Sequence, residues 1–438
     1  MSRATADKKL AIDGGTPVRT TPFPAWPPVA GETAGVGIGA GQGSDRYFKR
    51  ALERIAAVLS SGRINYHTGG QGKTFEAAFA TWLGEDAPYD MAPLYALAVV
   101  NGTVALEIAL RAHGIGSGDE VIIPSRTFIA TAGAVVAVGA TPVIADIDLS
   151  TNCVTAKTCA QVLTARTRAI IPVHLGGFPA PVAKIQALAA QNGAIVIEDC
   201  AQALGARSGG AHVGTTSAAG CFSFCQDKIL PLGEGGMIVF TDEAAYHRAW
   251  AYRDHGRSYE KAHDATVGAA SSEFTWLNDS FGTNARMTEF QSALGLAAFD
   301  ELEGWLAQRA ANAAVLVDAM AELPGIEPVV VNAKEDTYAY YRLYARLNLE
   351  LLADGWTRNR VIDALNAEGV PVQYGSCALI GREEAFANAG IAVTAELPGA
   401  QAVHEATLAF FVHPTATEAD MADVATALYK VLTASTLV

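Results

Sequence analysis

Two side chains in this sequence have the types and setting to do chemistry. Lys228 lies in Phe222-Ser223-Phe224-Cys225-Gln226-Asp227-Lys228-Ile229, and Asp199 lies 29 residues earlier, in Ile197-Glu198-Asp199-Cys200-Ala201-Gln202. A primary amine can condense with an aldehyde to form a Schiff base, and a carboxylate can keep a ring nitrogen protonated. Together they are what a pyridoxal phosphate (PLP) enzyme requires, with the protonated ring as electron sink. A lysine is ordinarily a solvated surface residue. Here Gly233-Glu234-Gly235-Gly236 follows closely and the flanks are nearly uncharged, which predicts a partly desolvated amine. Asp199 comes straight after the apolar run Ala194–Ile197, at the carboxyl end of an expected strand, where open α/β sheets bind ligands.

Other residues fit a cofactor site, each with a plainer reading beside it. Asn101-Gly102-Thr103 follows the strand-like run Leu97–Val100 and opens a helix. Gly102 permits close backbone approach, and the free N–H groups with the Thr103 hydroxyl would seat a phosphate. The same residues also make an ordinary helix cap. Ser223 is a second phosphate candidate, or simply a serine in a strand. Phe128 could stack on a pyridine ring, or belong to the core. Gln202 could donate a hydrogen bond to a phenolic oxygen if the chain turns helical after Asp199.

Several elements must position these residues. Residues 1–45 are rich in Gly, Pro and Thr and read as an extended arm. From 46 to 310, short apolar runs alternate with Ala-rich helical stretches. Strands are expected at Glu120–Ile123, Thr141–Ala145, Ala169–Val173 and Ala194–Ile197, and helices near 103–113, 128–138 and 180–191. That alternation predicts an α/β domain, a mostly parallel sheet covered by helices on both faces. A long helical stretch over 287–320 leads into a smaller α+β domain over 311–438.

Composition excludes some classes. The net charge of −14 argues against nucleic-acid binding and requires any anionic ligand to be met by local Arg and N–H groups. The apolar stretch Val121–Ala145 is broken by Pro124, Arg126, Gly133, Gly139 and Pro142, so it reads as strand, helix and strand and not as a membrane span. The N-terminus has no apolar signal-peptide segment. The six cysteines include no CxxC pair. Cys200, Cys221 and Cys225 invite a metal reading, but small apolar core residues are favoured, so we expect no metal and a reduced, cytoplasmic chain.

The sequence resembles the DegT/DnrJ/EryC1/StrS sugar aminotransferases, PLP enzymes of the aspartate-aminotransferase fold (type I). The resemblance rests on Asn101-Gly102-Thr103, Gly118-Asp119-Glu120-Val121-Ile122, Pro124-Ser125-Arg126-Thr127-Phe128-Ile129-Ala130-Thr131, Gly139-Ala140-Thr141-Pro142-Val143, Pro172-Val173-His174-Leu175-Gly176-Gly177, Glu198-Asp199-Cys200-Ala201-Gln202, Lys228 with its glycines, Gly282-Thr283-Asn284-Ala285-Arg286-Met287-Thr288-Glu289 and Gly375-Ser376-Cys377. It implies Lys228 as Schiff-base lysine and proton carrier, Asp199 at the pyridine nitrogen and Gln202 at the phenolic oxygen. It further implies Gly102, Thr103 and Ser223 at the phosphate, joined by Asn284 across a homodimer. Two residues depart from the pattern: Ala285 stands where relatives carry an aromatic, and Arg126 where a non-basic residue is common.

The implied reaction moves an amino group from glutamate or glutamine to a keto-sugar, expected to be nucleotide-linked, with a keto-cyclitol as the alternative acceptor. Arg253, His255, Arg257 and Arg286 are expected diphosphate contacts because of their charge and nearness to Asn284. A PLP-dependent sugar dehydratase is disfavoured because known members replace the lysine with His. A non-catalytic PLP-binding regulator is disfavoured by the intact Lys228, Asp199 and Gln202. A nicotinamide dehydrogenase would need a GxGxxG that Asn101-Gly102-Thr103 does not supply.

Overall fold

The computed structural model describes residues 9–28, 42–85, 93–263, 277–331, 334, 336–393 and 396–437. The strands are β1 (Tyr95–Val99), β2 (Glu120–Pro124), β3 (Thr141–Ala145), β4 (Thr167–Ile170), β5 (Ile195–Asp199), β6 (Arg207–Ser208), β7 (Ala211–His212), β8 (Ala219–Ser223), β9 (Gly236–Phe240), β10 (Ile326–Pro328), β11 (Leu343–Leu347), β12 (Val372–Gln373) and β13 (Thr407–Phe410).

Seven of them form a sheet in the order β1-β9-β8-β5-β4-β2-β3. The neighbours from β8 to β3 pair in parallel. Parallel neighbours need a crossover, which Ala130–Ala137 supplies between β2 and β3 and Val182–Gln191 between β4 and β5, while Gly102–Ala112 carries the chain from β1 to β2. Every residue of β2 is buried, as a strand covered on both faces requires. The departure from parallel order is β9, antiparallel to both β8 and β1. Residues 224–235 return the chain directly from β8 to β9 without a crossover helix, and this connection carries Lys228.

Two packed layers sandwich the sheet. On one face Leu106, Ala109 and Leu110 meet Val135, Ala245 and Trp250. On the other, Phe75, Phe79 and Leu83 of helix Gln71–Gly84 pack against Ala98, Phe222 and Phe224. Fully burying each such phenyl ring stabilises by about 1.5–3 kcal/mol.

A second, antiparallel sheet has the order β10-β11-β13-β12. Helices Leu302–Ala321, Arg358–Ala367 and Glu418–Ser435 enclose its core around Leu343, Leu408, Phe410 and Leu428. The helical stretch expected over 287–320 is two helices, Glu289–Phe299 and Leu302–Ala321. The first begins with a capping box of Thr288 and Gln291. The break falls at Asp300 and Glu301, which pair with Arg50 and Arg46 of helix Gln42–Ser61.

The arm expected over 1–45 gives way to that helix at Gln42, and residues 1–8 and 29–41 lie outside the described residues. Its described part lies over the second sheet's core. Leu10 is buried there, Arg19 pairs with Asp420 at 2.6 Å, and Trp26 stands edge-on to Trp305 at 5.1 Å. Among the described residues, no helix is long and apolar enough to cross a membrane.

Candidate active site

Asp199 ends β5, at the carboxyl edge of the sheet. Its Oδ1 accepts the Ala201 N–H at 3.1 Å, and its Oδ2 accepts the Thr131 hydroxyl at 3.0 Å. The Thr127 hydroxyl backs Thr131 at 2.8 Å. Burial pushes the Asp199 carboxyl up, while the Ala201 N–H, the Thr131 hydroxyl and the Lys228 charge pull it back down; the net displacement is upward. Among the described residues no cation lies within ion-pair distance of it.

Lys228 lies in the β8–β9 connection, in a turn closed by its N–H and the Cys225 carbonyl. The Trp26 indole donates to the Lys228 carbonyl at 2.9 Å, so the arm braces this turn. The side chain is 17 % exposed, with Nζ 3.6 Å from Asp227 Oδ1 and 4.8 Å from the Tyr341 ring centroid. The Tyr341 hydroxyl donates to Asp227, closing a triangle of amine, carboxylate and phenol. Lys228 is thus partly desolvated, as its flanks predict.

Gln202 ties the two sheets together at this point. Its Oε1 accepts the Gly176 N–H at 2.8 Å and the Ser376 hydroxyl at 3.1 Å, and its Nε2 lies 3.5 Å from Cys377 Sγ. Gly176 has φ 68°, and a Cβ there would come within 2.5 Å of the Tyr344 ring, so glycine is required on both counts. At the other end, Gly102 opens its helix against the tip of β8. A Cβ on Gly102 would come 2.7 Å from the Ser223 Cβ. Asn101 caps the helix by accepting the Val104 N–H at 2.9 Å, and Thr103 is exposed in its first turn. The phosphate candidates Gly102, Thr103 and Ser223 therefore meet in space. Phe128 is 62 % exposed, three residues before the threonine that holds Asp199.

Asn284 is exposed and bridges to Asp254 through the backbone. Asp254 itself is buried, and three basic groups converge on it: His67 at 3.1 Å, Arg257 at 3.5 Å and Arg286. His255, with φ 60°, is exposed beside them. Arg253 does not join this group. It is wholly buried behind β1, where NH1 meets Glu76 Oε1 and the Ala98 carbonyl at 2.9 Å each, with the guanidinium 4.2 Å from the Tyr66 ring. A diphosphate cannot reach it, so the expectation of a substrate contact there is corrected to a structural ion pair. Arg126 is buried too, donating to the Tyr374 and Cys377 carbonyls and the Thr407 hydroxyl, and so fastens the Gly375-Ser376-Cys377 turn over the β2 end.

Sequence reasoning did not single out Tyr341, Arg342 or Arg309, which come from other elements with no spacing signal linking them to Lys228. Thr131 stood only inside a longer motif. Its place four residues after Thr127, at the start of the helix, was the available clue. The described residues also hold a buried His174-Glu198-Cys200 group. Its polar atoms are engaged: Glu198 accepts from His174, Gly214 and Ser217, and His174 Nδ1 accepts the Ala180 N–H.

The profile of the DegT/DnrJ/EryC1/StrS aminotransferase family matches residues 46–429. The chain is 36% identical over 366 residues, 83% of its length and 79% of the relative's, to a putative L-glutamine:3-amino-2,3-dideoxy-scyllo-inosose aminotransferase of Streptoalloteichus tenebrarius. It is 35% identical over 366 residues, with the same coverage of each chain, to the L-glutamine:2-deoxy-scyllo-inosose aminotransferase of Streptomyces kanamyceticus. Among solved structures, an aminotransferase from Psychrobacter cryohalolentis superposes with a TM-score of 0.85 at 39% identity, covering 94% of this chain and 99% of that one.

Proposed function

The chain belongs to the DegT/DnrJ/EryC1/StrS aminotransferase family, and on that premise we propose that it transfers the amino group of L-glutamine to the ketone of a cyclitol, in the cytoplasm, as a PLP-loaded homodimer. One observation carries the reading: the Lys228 charge acts on the buried Asp199 carboxyl, in an aminotransferase whose relatives are named for glutamine and inososes. The preferred acceptor thus moves from the keto-sugar favoured by sequence to the keto-cyclitol. A nucleotide-linked keto-sugar is the second reading, supported by His255, Arg257 and Arg286 gathering near Asn284.

The residues fit PLP. A buried carboxylate that burial pushes up, with no cation within ion-pair distance among the described residues, gains a partner from a protonated ring nitrogen. The absence of a Cβ on Gly102 lets the helix N-terminus lie directly against Ser223, and the first-turn N–H groups beside that hydroxyl suit a phosphate. Asp199 would hold the ring nitrogen, Gln202 the phenolic oxygen, Phe128 the ring face, and Gly102, Thr103 and Ser223 the phosphate. Asn284 would reach the partner subunit's phosphate, consistent with its exposure. When bound, PLP supplies the electron sink that lets the donor's α-carbon lose a proton.

The chain's own groups do the rest. Lys228 Nζ takes the proton from the donor's α-carbon, and in the second half-reaction it delivers a proton to the former carbonyl carbon of the acceptor. Asp227 and the Tyr341 ring hold the amine at its station between these transfers. Asp199 keeps its proton-holding role because Thr131 and Ala201 fix both of its oxygens.

The test is the visible absorbance of the PLP-loaded protein, followed as L-glutamine and then L-glutamate are added. A shift with glutamine, amination of an inosose and no turnover by Lys228→Ala are expected. Normal turnover by Lys228→Ala would remove the assignment, and amination of a nucleotide-linked keto-sugar alone would establish the second reading.

A further inference from the structure

Beside Lys228 lies a cluster of cationic side chains, Arg309 and Arg342, that none of the roles above uses. It is built where four parts of the chain meet: Trp26 of the arm, Arg309 of helix Leu302–Ala321, Tyr341-Arg342 before β11, and Phe411 and His413 after β13. Arg309 is wholly buried, and its Nε and one terminal nitrogen have no hydrogen-bond partner. Its one hydrogen bond goes to the Tyr340 carbonyl at 3.2 Å, and its guanidinium lies 4.9 Å from the Trp26 ring. Arg342 is 8 % exposed and donates to the Tyr341 carbonyl at 2.8 Å.

Neither arginine has a carboxylate within ion-pair distance among the described residues. The acid nearest in effect, Asp227, already serves Lys228 and the Tyr341 hydroxyl. The remaining titratable neighbour cannot help, because burial and the two arginines push His413 down to about 3 and keep it neutral. Three basic groups with one acid leave the cluster short of negative charge.

Its shape specifies the missing anion. The Arg342 guanidinium lies against two aromatic rings, 4.4 Å from the Tyr341 centroid and 4.1 Å from that of Phe411. Rings on the guanidinium leave its edge donors for a ligand, and a planar fork of N–H groups matches a carboxylate. The same Tyr341 ring receives the Lys228 amine at 4.8 Å, so cationic fork and reactive amine lie one ring apart. An inosose carries no charge, whereas an amino acid brings a carboxylate wherever it brings its amino group.

We propose that Arg342 is the carboxylate-binding residue for the amino donor, and that Arg309 is a positioning residue behind it that keeps the cluster cationic. The proposal rests on the aminotransferase reading above, and it makes the small sheet's side of the site the donor-recognition element.

The experiment is a titration of PLP-loaded wild type, Arg342→Gln and Arg342→Lys with L-glutamine, read by cofactor absorbance, alongside calorimetric binding of glutarate, which offers carboxylates without an amino group. Arg342→Gln should raise half-saturating glutamine about 30-fold or more, the scale of a lost charge-assisted pair, with the lysine variant in between. The KM for the acceptor should stay within about threefold, and glutarate binding should be lost. Unchanged glutamine saturation, or an equal rise in acceptor KM, overturns the proposal. If wild type accepts no amino group from glutamine, the functional reading fails, and glutarate still decides Arg342: binding that disappears in the variant upholds the site, and no binding or equal binding refutes it. Cofactor absorbance reports folding of Arg342→Gln, and Arg342→Lys carries the test should that variant not fold.

Discussion

Arg253 and Arg309 are both wholly buried arginines on helices, and both leave Nε and one terminal nitrogen without a hydrogen-bond partner. Their surroundings separate them. Burial presses Arg253 down, but Tyr66 and Glu76 more than restore it, so it stays above its ordinary value. Burial and then the neighbouring Arg342 press Arg309 down to about 9, and Tyr341 and the Asp227 carboxylate offset them only in part, with no carboxylate in ion-pair contact among the described residues. A buried charge with its counter-charge in place is architecture, and a buried charge without one marks where something else must bind. Asp199 is the anionic counterpart of Arg309 by the same criterion: well hydrogen-bonded, buried and without a cation in ion-pair contact among the described residues.

The largest effect should therefore come from Asp199. Asp199→Asn should lower turnover about 1,000-fold, roughly 4 kcal/mol of transition-state stabilisation. Cofactor-free protein should meanwhile hold or gain thermal stability near neutral pH. The sign follows from a folded pKa raised above the unfolded one, so that the ionised side chain costs stability at neutral pH and regains it only as pH falls. A variant that keeps turnover, or an Asn variant clearly less stable than cofactor-free wild type, would break the criterion.

Glu76→Gln tests the other side and should cost stability, about 3 kcal/mol, because it strands the Arg253 charge. Its unfolding midpoint in urea should fall while the absorbance of bound PLP and the half-saturating glutamine concentration hold. A midpoint equal to that of wild type would mean Glu76 does not neutralise Arg253, and the contrast with Arg309 would collapse.

This contrast also explains what the sequence could and could not reveal. Lys228, Asp199, Gln202 and the Gly102–Ser223 contact were legible as candidates because strand ends and glycines are local signals, and each residue sits near one. The expected span Thr141–Ala145 coincides with β3, and those at 103–113 and 180–191 differ from the observed helices by a residue or two. Arg253 was misread because charge and proximity in sequence to Asn284 carry no information about burial; its partner Glu76 comes from a distant helix. Tyr341, Arg342 and Arg309 were invisible for the same reason. Their relation to Lys228 exists only once the second sheet docks against the first, and no period or spacing encodes that.

The smallest effect is the most discriminating between the two arginines, and it is read in acid. His413 is buried, its Nδ1 2.6 Å from the Thr415 hydroxyl, with a folded value of about 3 against an ordinary 6.5. Because the folded value is depressed, the unfolded chain binds the proton more readily. The stability contribution is complete above about 6.5 and is lost progressively as pH falls toward 3, amounting to about 2 kcal/mol by pH 5. Arg309 is the largest charge contributing to that depression, after burial itself. Arg309→Met should therefore narrow the gap between unfolding midpoints at pH 7.5 and pH 5, because His413 can then accept its proton in the folded state at less cost. Arg253→Met combined with Glu76→Gln, so that no buried carboxylate is left stranded, removes an equally buried guanidinium that does not act on His413, so whatever it does to stability it should do equally at both pH values. If both variants flatten the acid limb alike, buried positive charge in general governs it, and the cluster beside Lys228 loses its distinction; if only Arg309→Met does, the uncompensated charge lies where the geometry puts it.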